Sequence, residues 1–187
     1  MTARPVLLYP DPALKAVAAP VQAGDVDRVA DELLATMRSY ERCVGLAAPQ
    51  ISLPVRVVVV DVSEHPKAET SNGLLVLANP RVVSADGSEV GREGCLSLPD
   101  FTANVRRATT VVVGHLGGTV ECRGVEARAV QHELDHLDGI LFLDRVESLV
   151  DDVFRRRSYA GSPPDSRGSS AGGGGASSND SPGGRMG

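Results

Sequence analysis

The sequence predicts an α+β fold, a compact single domain in which antiparallel strands pack around a central helix, with further helices towards the N- and C-termini. A block of short β-branched stretches occupies the middle of the chain, and helical patterns precede and follow that block. The strands do not alternate with helices, as they would in a parallel α/β sheet. Hydrophobic residues make up 42% of the 187 residues, which is enough for one core.

The first helix is predicted over residues 25–40, where apolar side chains recur at helical spacing. The stripe consists of Val26, Val29, Leu33, Met37 and Tyr40. Asp25 is expected to cap the start of this helix, because an aspartate at this position can accept hydrogen bonds from the first free N–H groups.

Strands are predicted where β-branched residues cluster in short runs. These runs cover residues 56–62, 74–83, 110–115 and 119–123. Asn79-Pro80 is expected to interrupt the second run, and Gly117-Gly118 indicates a hairpin between the last two.

A second helix is predicted over residues 125–137 and is expected to end at Gly139. Residues 149–156 predict a short terminal helix. The last segment, 158–187, is dominated by Gly, Ser and Pro, and it buries too little apolar surface to offset the entropy cost of ordering. We therefore expect a catalytic domain over residues 1–157, followed by a disordered tail that is dispensable for chemistry.

The formal net charge of −5 gives no electrostatic case for nucleic acid or an anionic membrane as a partner. No run approaches the roughly 18 apolar residues of a membrane span. The first residues lack a signal or transit pattern, so a cytoplasmic protein is expected. The three cysteines are Cys43, Cys95 and Cys122, an odd number that makes a poor disulfide framework and leaves buried thiols, nucleophiles or metal ligands as alternatives.

The sharpest local signal is QHELDH, which places His132, Glu133 and His136 in a His-Glu-x-x-His pattern on the second helix. Residues four apart share one helical face, so both imidazoles can reach one metal ion. Glu133 can reach a water molecule at that metal. The alternative is a polar helix face with two incidental histidines.

A catalytic metal of this kind needs a third protein ligand. In the metzincin pattern that ligand is a histidine six residues after the second, but Phe142 occupies this position and no histidine follows His136. Glu147 lies too near for the usual downstream glutamate ligand. The third ligand must then come from upstream.

Cys95 lies in GREGCLSLP, which Gly94 and Pro99 mark as an irregular segment able to face a site. A thiolate with two imidazoles suits Zn(II) or Fe(II). A buried structural thiol is the alternative. A third stretch, CVGLAAPQ, ends in Gln50, whose amide could donate to a developing oxyanion, although a plain helix-to-loop connection explains it as well.

In this order, CVGLAAPQ, EGCLS and QHELDH resemble the three motifs of the peptide deformylase family. Weaker similarities are YPDP near the start, Asn79-Pro80 and LFLDR after the second helix, so the resemblance covers the folded part and none of the tail. It implies a metal-dependent hydrolase that removes the N-formyl group from the N-terminal formylmethionine of newly synthesised proteins and releases formate.

The resemblance also implies the roles of individual residues. The metal ligands are Cys95, His132 and His136, and Glu133 is the general acid/base. Gln50 and the backbone N–H of Leu96 are expected to stabilise the oxyanion. Gly45 is expected to pair its backbone with an extended substrate. Val125 and Ala129, seven and three residues before His132, share a neighbouring helical face and with Val44 are candidates for the apolar methionine pocket, whereas ordinary core positions explain each of them as well.

One divalent ion per chain is implied, with Fe²⁺ expected and Zn²⁺, Ni²⁺ or Co²⁺ as substitutes. The expected partners are N-formyl-Met nascent peptides, with transient ribosome contact and with neither nucleic-acid readout nor membrane association. Two departures from the family stand out. Cys43 replaces a usual glycine, where a side chain could narrow the mouth of the site or keep the backbone from positive φ, and Thr102 stands where some members have arginine, while Arg107 is retained.

Two rival functions remain from the residues alone. A zinc endopeptidase would cleave unformylated peptides and would need a third ligand downstream. A deformylase-like binding or regulatory module would have a broken constellation, yet every catalytic side chain implied by the resemblance is present.

Overall fold

The computed structural model describes residues 2–156 and contains two α-helices, nine strands and four short 3₁₀ helices in that range. The helices are α1 (Val26–Met37) and α2 (Gly124–Leu137). The strands are β1 (Gly45–Ala47), β2 (Val57–Val60), β3 (Leu75–Ala78), β4 (Arg81–Asp86), β5 (Glu89–Cys95), β6 (Leu98–Arg107), β7 (Thr110–His115), β8 (Gly118–Arg123) and β9 (Val153–Arg155). The 3₁₀ helices are Pro12–Lys15, Ala23–Asp25, Ala48–Ile51 and Phe142–Arg145. The α+β prediction is confirmed.

The named strands form three antiparallel sheets of three strands each, in the orders β1-β2-β3, β4-β7-β8 and β5-β6-β9. The predicted hairpin is present between β7 and β8, where His115 pairs with Gly118. Asn79 separates β3 from β4 at a left-handed φ of 50°, as the predicted interruption requires.

The four valines of β2 are all buried because both faces of this strand are covered. Val57 and Val59 pack in the cluster that contains Leu33 of α1. Val58 and Val60 point to the other face and pack in the cluster that contains residues of α2. A strand that is covered on both faces has a continuous apolar sequence, as β2 does. Its second face packs against α2, which therefore lies on the sheet.

Helix α2 carries polar side chains into the interior together with its apolar ones. His132, Glu133, Asp135 and His136 are all buried. The helix is followed by Gly139, whose φ of 69° favours glycine and whose N–H donates to the His136 carbonyl oxygen at 3.3 Å. Buried polar groups need partners, and those partners define the site described below.

Three local predictions are wrong in detail. Helix α1 ends at Met37 rather than at residue 40, and the Asp25 carboxylate accepts a hydrogen bond from Arg28 instead of capping the helix. The segment around Cys95 is not an irregular loop, because β5 runs to Cys95 itself. The irregularity is confined to a register shift between Gly94 and Cys95, as in a β-bulge.

The predicted terminal helix over residues 149–156 is also wrong, because its second half forms β9. This strand pairs with β6, with Thr102 opposite Phe154. An isolated helix of eight residues is marginal in water, whereas the edge of β6 offers unpaired N–H and C=O groups. Arg92 of β5 stacks on the Phe154 ring at 3.5 Å from its centroid, which adds a side-chain contact to the pairing.

Within residues 2–156, no helix is long and apolar enough to cross a membrane. The predicted tail, 158–187, lies outside the described residues.

Candidate metal centre

Three side chains converge in the interior of the domain. One ligand atom each from Cys95, His132 and His136 lies within 4.8 Å of the others, and all three residues are buried. The histidines project from one face of α2, as residues four apart must, and the cysteine comes from the end of β5. The chain thus brings together two residues of one motif and one that precedes them by 37 positions or more.

The chemistry of these donors suits a divalent cation. Cys95 Sγ lies 3.2 Å from Nε2 of His136. Burial opposes ionisation of the thiol, but the charge of His136 and hydrogen bonds from both imidazoles outweigh burial and hold the pKa of Cys95 well below its usual range. The thiolate is the form of cysteine that ligates metals, and with two imidazoles it gives a donor set suited to Zn(II) or Fe(II).

Glu133 lies beside this triad with a buried carboxylate. Its Oε2 has no hydrogen-bond partner among residues 2–156. Burial raises the pKa of Glu133 to about 7, although the neighbouring His132 and His136 oppose the shift. A buried, unpaired carboxylate with this pKa can both accept and return a proton near neutral pH.

The position of the Glu133 carboxylate depends on Gly45. A Cβ atom on Gly45 would lie 2.6 Å from Oε1 of Glu133 and 2.9 Å from its Cγ. Real Cβ atoms do not approach so closely, so the Glu133 side chain can hold this position only because residue 45 has no side chain.

Glu93 is a site residue whose role the motif reading missed. Its Oε2 lies 2.9 Å from Nδ1 of His132, and it accepts two hydrogen bonds from Arg107, at 2.9 and 3.0 Å. Burial opposes its ionisation, but the hydrogen bonds from His132 and Arg107 outweigh burial and lower the pKa of Glu93 to about 2. A carboxylate on the second ring nitrogen of a metal-ligating histidine fixes the tautomer and the ring orientation.

A sequence signal for Glu93 did exist. Glu93 and Cys95 are two apart, so on a strand they share a face, and both are buried on β5. A prediction of an irregular loop for this segment hides the signal, because the alternation of side chains applies only to a strand.

Gln50 closes the site on the side of the 3₁₀ helix that follows β1. The N–H of Ala47 donates to Oε1 of Gln50 at 2.9 Å, which leaves the NH₂ group directed inward. That group donates to Ser97 Oγ at 3.2 Å and to Cys95 Sγ at 3.4 Å. The amide thus points its donor at the metal ligands and is held there by the backbone.

The remaining predicted site residues lie around this centre. Leu96 is half-buried in the two-residue connection between β5 and β6, next to Cys95. Val44, Val125 and Ala129 all belong to the apolar cluster on the α2 side of the β1-β2-β3 sheet. Ala129 is buried, and the two valines are half-buried.

The two departures from the family pattern are accommodated. At Cys43 the thiol donates to the Gly45 carbonyl oxygen at 3.1 Å, and the left-handed backbone falls on Arg42 (φ 61°) instead. Burial, with the charge of Glu133, raises the pKa of Cys43 to about 12, so its thiol stays protonated. Thr102 lies opposite Gly94 on β6, and Nη2 of Arg156 lies 3.3 Å from where a Gly94 Cβ would be, so a cation from the C-terminal segment is close to Thr102.

Comparison with known proteins finds relatives over most of the chain. A family model described as polypeptide deformylase matches residues 3–152. Peptide deformylase of Thermodesulfovibrio yellowstonii is 39% identical over 156 residues, which cover 80% of this chain and 92% of that protein. Peptide deformylase of Rhizobium meliloti is 40% identical over 165 residues, covering 84% of this chain and 92% of that protein.

Solved structures of similar fold carry the same name. The class I type b peptide deformylase of Acinetobacter baumannii, solved with Met-Ala-Ser bound, has a TM-score of 0.69 at 38% identity and covers 78% of this chain and 99% of its own. The peptide deformylase of Thermotoga maritima has a TM-score of 0.69 at 33% identity, covering 79% of this chain and all of its own.

Proposed function

Because the chain belongs to the peptide deformylase family, we propose that it carries out the reaction of that family at Cys95, His132, His136 and Glu133. The chain is accordingly a metal-dependent hydrolase that removes the N-formyl group from the N-terminus of newly made proteins and releases formate. The observation that supports this assignment of residues is the convergence of three ligand atoms within 4.8 Å beside an unpaired, buried carboxylate.

The metal is proposed to be Fe²⁺, with Zn²⁺, Ni²⁺ or Co²⁺ as substitutes, held by the thiolate of Cys95 and the imidazoles of His132 and His136. When bound, such a cation supplies Lewis acidity, which polarises the formyl oxygen and brings the pKa of water towards neutrality. Glu93 holds the ring of His132 in the ligating orientation, and Arg107 holds Glu93 in turn.

Glu133 is proposed to act as the general base and then as the general acid. It accepts a proton from the attacking water as a C–O bond forms at the formyl carbon, and it delivers that proton to the amine nitrogen as the C–N bond breaks. The products are formate and a free N-terminus. The close packing of Gly45 keeps the carboxylate in reach of the ligand triad.

Gln50 and the backbone N–H of Leu96 are proposed to stabilise the negative charge on the formyl oxygen. The NH₂ group of Gln50 already lies 3.4 Å from Cys95 Sγ, so it needs no reorganisation to donate into the centre. Loss of one such donor typically costs about 3–4 kcal/mol of transition-state stabilisation.

The substrate is proposed to lie extended along β1, with the backbone of Gly45 pairing with it. Strand β1 is an edge of its sheet, which suits the addition of a peptide as a further strand. Val44, Val125 and Ala129 share an apolar cluster and are proposed to line the methionine pocket. The Acinetobacter baumannii relative was solved with a methionine-initiated tripeptide, Met-Ala-Ser.

Because the proposed substrate is a nascent chain, we also propose a cytoplasmic location and transient contact with the ribosome. We further propose that residues 1–157 form the catalytic domain and that residues 158–187 are a tail with no part in the reaction.

The assignment of Glu133 is tested by Glu133→Gln, which keeps the side-chain size and removes the base. Formate release from a formyl-Met dipeptide is expected to fall by about 10²–10⁴-fold, while elemental analysis finds the metal content unchanged. Glu121→Gln, at an exposed site on β8, is the matched control. Turnover of Glu133→Gln near that of the control would refute the assignment.

The assignment of Cys95 is tested by Cys95→Ser, which is expected to lower the metal content after dialysis. Cys122→Ser is the control, because Cys122 is equally buried but lies on β8 in the apolar core. Equal metal retention by the two variants would exclude Cys95 as a ligand.

A further inference from the structure

A cleft beside α2, on a different face of the helix from the ligand triad, is lined by an unusual number of arginines. Its volume is about 480 Å³. Five guanidinium groups line it, those of Arg56, Arg81, Arg106, Arg107 and Arg145. Helix α2 contributes Gln131, Leu134, Asp135 and Asp138, which share a face at spacings of three, four and seven. The metal ligands project from the adjoining face, so the cleft is distinct from the proposed active site.

The carboxylates around this cleft do not balance its cations. Asp135 accepts hydrogen bonds from both Arg107, at 2.5 Å, and Arg145, at 2.7 and 3.1 Å. Glu93 accepts hydrogen bonds from Arg107 and also from Arg128, the latter at 3.0 Å. Arg107, which is almost fully buried, therefore shares two carboxylates with Arg145 and with Arg128, a residue outside the cleft lining. The other two paired arginines of the cleft, Arg56 and Arg106, have one carboxylate each, Asp138 and Glu147. Charges removed from water need compensation, and this network has a surplus of one positive charge.

Further cationic donors face the same cleft without a partner. The guanidinium group of Arg81 makes no hydrogen bond or ion pair with any residue in the range 2–156, although its backbone pairs with β7. Arg106 donates one side-chain hydrogen bond, from Nε to Glu147, and Arg145 donates from Nε and Nη2 to Asp135. Both Nη groups of Arg106 and the Nη1 group of Arg145 therefore have no acceptor among the described residues. This concentration of cationic donors occurs in a chain whose net charge is −5.

We propose that this cleft binds a phosphate group. The available donors come from β4, β6 and the 3₁₀ helix Phe142–Arg145, so they approach from three elements of the fold. A tetrahedral anion can accept from several directions at once, and the fork of N–H groups on arginine matches phosphate oxygens. The charge of a phosphate monoester, close to −2, would neutralise the surplus of the buried network and the free charge of Arg81.

The test is calorimetric titration of the full-length, zinc-loaded chain with sodium phosphate at constant ionic strength. The cleft variant is the double substitution Arg81→Gln with Arg106→Gln, and the control is Arg28→Gln with Arg123→Gln, two exposed arginines outside the cleft. We expect the cleft variant to bind phosphate at least about tenfold more weakly and the control to bind as the wild type does. Formate release should be unchanged in both, which shows that both fold.

A second titration, with a short single-stranded oligouridylate followed by fluorescence anisotropy, identifies the source of the phosphate. Oligonucleotide binding that falls with salt and weakens in the cleft variant assigns the site to a nucleic-acid backbone. Phosphate binding without oligonucleotide binding assigns it to a small phosphorylated molecule. The proposal is overturned if phosphate up to about 50 mM, a limit that would detect even millimolar affinity, gives no heat. It is also overturned if the two double variants bind phosphate equally, which would place the anion at the metal or elsewhere.

Discussion

At the scale of single residues, the proposed role of Glu133 depends on how closely its side chain approaches the backbone of β1. The carboxylate rests against Gly45, at distances that exclude even a methyl group. Through this contact, the motif that contains Gly45 on β1 and the motif that contains Glu133 on α2 form one site. The glycine provides the space, and the glutamate fills it.

Gly45→Ala tests this contact. The added methyl must displace the Glu133 carboxylate, and a misplacement of about 1 Å typically costs on the order of 100-fold in rate. We expect kcat/KM for a formyl-Met dipeptide to fall by about that factor. Gly24→Ala is the matched control, because nothing lies within 4 Å of a Cβ at Gly24.

A double-mutant cycle separates this effect from any role of Gly45 in holding the substrate. In the Glu133→Ala background neither Cγ nor the carboxylate is present to meet the methyl, so Gly45→Ala should lower the residual rate there by a smaller factor than in the wild type. An equal cost in both backgrounds would mean that the methyl acts on the substrate and not on Glu133.

At the scale of elements, Arg107 joins β6 to β5 and to α2. It donates to Glu93 and Asp135, and the sheet and the helix each supply one of these carboxylates. Glu93 in turn contacts His132, so the ion network ties the proposed ligand to the packing of three elements.

Arg107→Met should destabilise the fold strongly, because it removes the most buried cation of the network and leaves Glu93 with Arg128 and Asp135 with Arg145 as their remaining arginine partners. Breaking a buried pair by removing one partner costs about 3–5 kcal/mol. We expect that loss in urea unfolding at neutral pH, against about 1 kcal/mol or less for Arg123→Met at the surface. A loss for Arg107→Met no greater than that of the surface variant would show that Glu93 and Asp135 find other compensation.

The ends of the domain are linked by an ion pair between two 3₁₀ helices. Lys15 Nζ donates to Asp144 at 2.6 Å, and the same carboxylate accepts from the Leu141 N–H at 2.7 Å. Partial burial opposes ionisation, but these two hydrogen bonds outweigh it and hold the pKa of Asp144 below its usual value.

Asp144→Asn removes the charge and keeps an oxygen that can accept from Leu141. Because the folded-state pKa is the lower one, the stabilisation is fully present above the unfolded-state pKa of about 4 and is lost as the pH falls through the folded value. The pair is largely exposed, so we expect a difference of about 1 kcal/mol or less at pH 7, shrinking on acidification below about pH 4. The difference in stability is measured from urea unfolding midpoints at pH 7 and below about pH 4. Asp31→Asn, at an exposed position on α1, is the control. A difference that grows with acid would contradict the assignment.

At the scale of the whole molecule, three sheets surround α2, and the family match covers residues 3–152. The pairing of β9 with β6 extends the ordered fold beyond that match. The C-terminal boundary of the working enzyme is therefore expected after β9.

Deleting residues 158–187 should leave formate release within about twofold of the full chain and leave the melting temperature unchanged, since a Gly/Ser/Pro-rich segment buries little apolar surface. Deleting residues 153–187 removes β9 and its Phe154–Arg92 contact as well, and it should lower the melting temperature. Loss of activity on the shorter deletion would show that the tail takes part in the reaction.

Much of this organisation follows from local patterns. The period of α1 and α2, the valine run of β2, the hairpin at Gly117-Gly118 and the interruption at Asn79 were all predictable, because each depends on neighbours in the chain. The wrong prediction of a terminal helix has a tertiary cause. Residues 149–156 carry no strong pattern of their own, and β6 decides their conformation by offering a free edge.

By itself, the sequence determined the α+β class, the family and the residue types that make a metal site, because spacing on one helix face needs no knowledge of the rest of the fold. Only the tertiary structure decided that Glu93 contacts His132, that Gly45 makes room for Glu133, and that five arginines from four parts of the chain line one cleft beside α2. The physical reason is that these contacts join residues dozens of positions apart in the chain. Packing of the whole core decides which of the many possible long-range pairs form, and no local periodicity in the sequence encodes that choice.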